Sequence, residues 1–150
     1  MLGLMSDEPL LISSLIEHSS RYHGKTEIVY RLSNGEVDRT NYLKTHKTIK
    51  KLANSLIEMG IKIGDRLGTL AWSNLSHLEL YYGISGIGAI CHTINPRLFQ
   101  EQLVFIINDA EDQLLFVELD FIEIINNISN QLNTVNSLFP CKLGEDTEHK

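Results

Sequence analysis

Three short apolar runs, at residues 66–72, 88–94 and 114–117, are separated by stretches long enough for a helix, and this alternation constrains the fold most. Strands buried on both faces need no alternation of polar and apolar residues, and helix-length connections between them give a parallel sheet with helices packed over it. The first connection, 76–87, is helix-like; the second, 101–110, sets Leu103, Val104, Ile106 and Ile107 at helical spacing. Asn95-Pro96 separates strand from helix, because the residue before proline avoids the α region. The expected class is α/β, with these three strands buried on both faces.

An antiparallel element leads the alternation. Two β-prone segments, 27–31 and 37–40, flank Ser33-Asn34-Gly35, and Asn-Gly favours a tight turn because both residues tolerate positive φ. Before this hairpin, Pro9 marks the first turn of a helix expected over 10–21, with Ser6 or Asp7 as its cap and Leu11, Ile12, Leu15 and Ile16 as its buried stripe. After it, Thr40 is placed to cap a helix over 41–59 that Gly60 stops in the left-handed conformation. Tyr42, Ile49, Leu52, Ala53, Leu56 and Ile57 fall on one side of that helix and Lys44, Lys47, Lys50 and Lys51 on the other, which reads as a core face opposite a solvated face.

Beyond Asp120, the residues Phe121, Ile124, Ile125 and Ile128 outline one more helix within 121–135, diluted by Asn126, Asn127, Asn130 and Asn133. Residues 136–150 have little apolar periodicity and are expected to form a disordered tail. With 150 residues there is room for one domain. A formal charge of −6 is unsuited to collecting nucleic-acid phosphates. No apolar run reaches the roughly 18 residues of a membrane span, and Asp7 and Glu8 follow an apolar start without a basic region, so the expected location is the cytoplasm. Cys91 lies in an apolar segment and Cys141 in the polar tail, which predicts free thiols.

Local motifs offer no catalytic group. Gly83, Gly86 and Gly88 read G-x-x-G-x-G from a helix into a strand, the reverse of a dinucleotide loop, so close helix packing and a helix stop account for them. His18, His23, His46, His77, His92 and His149 lack metal-ligand spacing, and packing or surface roles are expected for His77 and His92. Glu111-Asp112 and Glu118-Asp120 bracket the last strand as loop and cap residues. In Gly64-Asp65-Arg66, the glycine permits a tight turn, the aspartate bonds the turn backbone and the arginine holds a nearby carboxylate. No catalytic, cofactor-binding or metal residue is assigned.

As a set, Leu52-Ala53-x-x-Leu56, Gly60-Ile61, Gly64-Asp65-Arg66, Trp72, His77-Leu78-Glu79-Leu80-Tyr81-Tyr82-Gly83 and Thr93-Ile94-Asn95-Pro96-Arg97-Leu98 carry a resemblance. The order resembles the N-terminal region of AMP-forming acyl-CoA synthetases, most closely those acting on fatty acids, and covers residues 1–120. The resemblance implies a partial N-terminal subdomain over 1–120. It further implies a parent enzyme that uses ATP, Mg²⁺ and coenzyme A, forming an acyl adenylate with release of pyrophosphate and then a thioester with release of AMP. The family binds ATP phosphates through a loop resembling T-S-G-T-T-G-x-P-K and closes a lysine-bearing lid, and no segment of the 150 residues matches either. The expectation is a truncated synthetase, inactive alone, or a non-enzymatic module. Such a module would pair with a full-length relative or a separately encoded remainder through a sheet edge exposed after 114–117, and the fragment itself is expected to self-associate or pair with remaining enzyme segments.

Overall fold

The computed structural model describes residues 3, 7, 9–32 and 35–141. In chain order the elements are α1 (Ile12–Tyr22), β1 (Glu27–Arg31), β2 (Val37–Asn41), α2 (Tyr42–Glu58) and β3 (Arg66–Leu70). They continue with α3 (Leu75–Gly86), β4 (Ile90–Ile94), α4 (Gln100–Asp109), β5 (Leu114–Glu118), α5 (Ile122–Ile128) and β6 (Ser137–Cys141). The hairpin β1–β2 is antiparallel, and the other four strands form a parallel sheet in the order β4-β3-β5-β6. The fold is α/β, as the alternation of apolar runs requires.

Strand alternation divides the core into two layers. Leu115 and Val117 of β5 pack with Leu103 and Ile107 of α4 and Ile125 and Ile128 of α5. Leu114 and Phe116 point the other way, against Leu56 of α2 and Leu80 and Ile84 of α3. Helix α1 lies outside α2 and α3, joined to α2 by a 2.7 Å hydrogen bond between Ser20 Oγ and His46 Nδ1. Gly83 lets α2 approach α3: a Cβ there would stand 2.8 Å from Leu52 Cδ2. Gly88 ends the helix segment with φ +80, so both roles foreseen for this glycine group are present.

The turn at 62–65 is built as its residues require. Gly64 has φ +86, and Asp65 Oδ2 accepts the Lys62 N–H at 2.7 Å. Arg66 then donates through Nε to the Ala110 carbonyl at 2.9 Å and pairs with the Glu111 carboxylate. Gly60 has φ +88 after α2.

Several expectations are corrected. Residues 137–141 are not a frayed tail but β6, because Leu138 and Phe139 pair with Leu115 and Phe116 along the otherwise open side of β5. Pro140 is tolerated there because an edge strand need not donate from every N–H. Cys141 is therefore half-buried in a strand, and both cysteines are free thiols. Residues 142–150 lie outside the described residues, as do Ser33 and Asn34 of the expected turn and Ser6 of the expected cap. The sheet edge is not at β5, which is paired on both sides; β4 and β6 are the edges. Strand β4 is also only partly covered, with Ile90 half exposed. On α1 only Ile16 is buried, while Leu11, Ile12 and Leu15 are exposed. The helix begins at Ile12 without a side-chain cap. Asn41, not Thr40, caps α2 by accepting the Lys44 N–H at 3.0 Å. Ile57 is exposed on α2 and Thr45 buried, because the contact face rotates toward α1 and α3, whereas the four lysines lie in solvent as foreseen. The helix expected within 121–135 is one short α-helix, Ile122–Ile128, flanked by 3₁₀ turns.

Glu79 sits on α3 facing Thr48 of α2, and burial raises its carboxyl from the usual 4.5 to about 7, with the Thr48 hydroxyl pulling weakly the other way. An acid whose pKa is raised by folding favours the protonated folded form, so its contribution is complete below 4.5 and is lost as pH rises through about 7. Glu79→Gln is expected to match the parent chain in thermal denaturation at pH 4. At pH 8 it should melt higher by about 2–4 °C, the shift that 1 kcal/mol produces in a domain of this size.

Candidate functional site

The chain leaves β3 toward β4 on one side and leaves β5 toward β6 on the other, so a crevice opens where the C-terminal ends of β3 and β5 part. Open parallel sheets bind ligands at such switch points. Residues 71–74, which carry the chain out of β3, form the floor of this crevice, and the β1–β2 hairpin stands over it. Three adjoining clefts of about 370, 450 and 470 Å³ meet here, and Ser73 lines all of them.

One carboxylate holds the floor in place. Glu118, the last residue of β5 and buried, accepts the Trp72 N–H at 2.7 Å through Oε2 and the Asn74 side-chain amide at 2.9 Å through Oε1. Asn74 in turn caps α3, its Oδ1 accepting the His77 N–H at 3.0 Å. The Trp72 indole N–H donates to Asp120 Oδ2 at 3.1 Å, and its ring lies 4.9 Å from that of Phe121. Glu118 and Asp120 thus serve as tethers for the 71–74 segment, a role that sequence adjacency to a strand end did not specify.

His77 continues the network. Its Nε2 lies 3.2 Å from the hydroxyl of buried Thr69, and burial depresses its pKa although Glu118 and the Trp72 carbonyl oppose the shift. An imidazole kept neutral and bonded in this way packs the site, as expected for it. Cys91, 4.0 Å from the same hydroxyl, has its thiol pushed up by burial, which disfavours its thiolate. Cys141 is raised to about 11 for the same reason.

At the opposite end of the sheet, His92 Nδ1 meets Asp112 Oδ2 at 2.7 Å. Asp112 lies in the loop between α4 and β5, as expected, but is fully buried there, and desolvation raises its pKa against the pull of His92. Gly68 makes the space: a Cβ there would stand 2.9 Å from Asp112 Oδ2 and 2.6 Å from Leu115 Cδ1. Glycine inside an apolar strand run was the one available signal of a close approach. The sequence did not identify its partner.

The crevice does not fit a nucleoside triphosphate or its metal. Between β3 and β5 it presents Glu118 and Asp120, carboxylates already accepting hydrogen bonds, against the single cation Arg31. Among the described residues no three His, Cys, Asp or Glu side chains converge as a metal site. Among them too, no helix is long and apolar enough to cross a membrane.

The AMP-binding enzyme family matches residues 15–147. The chain belongs to that family. A 3-methylmercaptopropionyl-CoA ligase of Ruegeria lacuscaerulensis is 51% identical over 90% of this chain and 25% of its own length. A medium-chain-fatty-acid–CoA ligase of Ectopseudomonas oleovorans is 45% identical over 91% of this chain and 25% of its own. The chain therefore spans about a quarter of these AMP-binding relatives. Among solved structures, a long-chain-fatty-acid-CoA ligase of Archaeoglobus fulgidus superposes with a TM-score of 0.80 at 20% identity, over 97% of this chain and 30% of that one. This likeness bears on the fold alone.

Replacing Glu118 by Ala leaves the Trp72 and Asn74 donors without their acceptor. The expected loss is about 1–3 kcal/mol of stability. Chemical denaturation should show it as a lower midpoint, with Glu118→Gln, which keeps an acceptor oxygen, losing less.

Proposed function

We propose that this chain is the N-terminal part of an AMP-forming acyl-CoA ligase and that these 150 residues do not catalyse the reaction by themselves. The observation that carries the reading is the 45–51% identity to two acyl-CoA ligases across nine-tenths of the chain. The acid is a medium- or long-chain fatty acid, or the short 3-methylmercaptopropionate for which two relatives are named. The parent reaction joins the carboxylate to AMP from ATP with Mg²⁺, releases pyrophosphate, and passes the acyl group to the thiol of coenzyme A with release of AMP. Such catalysis needs phosphate-binding donors and a closing lid held together around the reactants. No segment of the sequence matches the family's phosphate loop, and the crevice presents carboxylates where phosphates would need donors. The location proposed with this reading is the cytoplasm, as expected from the sequence.

The purified chain is expected to release no pyrophosphate above a heat-killed control when given ATP, Mg²⁺, coenzyme A and either octanoate or 3-methylmercaptopropionate. Release that depends on the acid would overturn the inactivity.

A second reading, a pairing module, is favoured by the two open edges β4 and β6 and by the exposed apolar residues Leu11, Leu15, Ile90 and Phe105. Light scattering over a concentration series is expected to show self-association at tens of micromolar, roughly the range in which such surfaces aggregate. A monomer throughout that range would count against it.

A further inference from the structure

The third cleft, about 470 Å³, opens between the C-terminal ends of β3 and β4 and differs in character from the crevice beside it. Its walls carry Trp72, Thr93, Asn95 and Arg97 and no carboxylate. Glu118 and Asp120 lie in the neighbouring crevice, bonded to the backbone and indole of Trp72. The Arg97 guanidinium stands 5.9 Å from the centre of the Trp72 ring and forms no ion pair among the described residues.

The turn that carries Arg97 and the indole of Trp72 are held in place. Asn95 Oδ1 accepts the backbone N–H of Arg97 at 3.0 Å and Pro96 stiffens the turn between them, and Thr93, Asn95 and Arg97 line the same cleft. Trp72 is held by Asp120 at its indole N–H and by Phe121 against its ring. An arginine fork recognises carboxylate or phosphate through paired hydrogen bonds, and an indole face supplies flat apolar area at little entropic cost. We infer that this cleft binds a small organic anion, its carboxylate or phosphate on Arg97 and Asn95 and its apolar body along the Trp72 indole.

The chain's one tryptophan reports on the cleft directly. Benzoate, neutral benzamide and inorganic phosphate, each titrated into the whole chain, separate charge from apolar contact. Benzoate is expected to change Trp72 emission saturably with a dissociation constant at least tenfold below those of the other two. Arg97→Gln, with an unchanged far-UV circular dichroism melt, should weaken benzoate at least tenfold and leave benzamide unaffected. In the unaltered chain, benzoate should also shift the Arg97 side-chain Nε–H resonance in NMR spectra. Equal affinity for benzoate and benzamide would show that the charge is unused, and equal affinity for phosphate that the indole is unused. Either result, an unmoved Arg97 resonance, or a folded Arg97→Gln chain that binds benzoate normally overturns the site. Benzoate binding without pyrophosphate release would support this cleft independently of the ligase reading.

Discussion

Strand β5 meets almost no water along its length, and the polar architecture follows from that constraint. A parallel strand covered on both faces can carry charge only where the chain enters and leaves the sheet. At the entry, Asp112 is buried with His92 as its partner and Glu111 reaches Arg66. At the exit, Glu118 is divided between Trp72 and Asn74. Each carboxylate ties β5 to β3 or β4 or to the segment leaving β3, so the strand that excludes water also sets the geometry of its neighbours' ends. The crevice at the C-terminal side is a product of those tethers.

This coupling explains what the amino-acid order disclosed and what it withheld. Apolar runs and helical spacing are local, and they placed β3, β4, β5, α2, α3 and α4 to within a residue or two. Turn chemistry at Gly64-Asp65-Arg66 was equally local, and the arginine found its carboxylate. Tertiary partners are not local. Nothing in residues 111–120 states that Glu118 will meet an N–H 46 positions earlier, or that Gly68 yields its side-chain volume to Asp112. Strand β6 was missed because Ser137–Cys141 has weak periodicity and contains a proline; its conformation is imposed by the open side of β5 rather than by propensity.

Helix α1 shows the same limit in reverse. Its stripe Leu11, Ile12, Leu15 and Ile16 has the spacing of a core face, yet only Ile16 is covered. Spacing reports that a helix has an apolar side; it does not report whether anything packs on it. The chain spans a quarter of its acyl-CoA ligase relatives, and amphipathic helices that are outermost in such a portion keep apolar surface uncovered.

Among the described residues β6 follows every other strand in chain order, which has a consequence for synthesis. Strands β3, β4 and β5 can assemble once residue 118 is available, but the outer side of β5 stays unpaired until 137–141 have been made and have crossed over behind α5. During that interval the nascent chain presents a run of Leu-Leu-Phe-Val with open backbone groups, the kind of edge other strands join. Ser137–Cys141 covers that side of β5, and the speed with which a ribosome delivers those five residues bears on whether β5 is paired by its own chain or by a neighbour's.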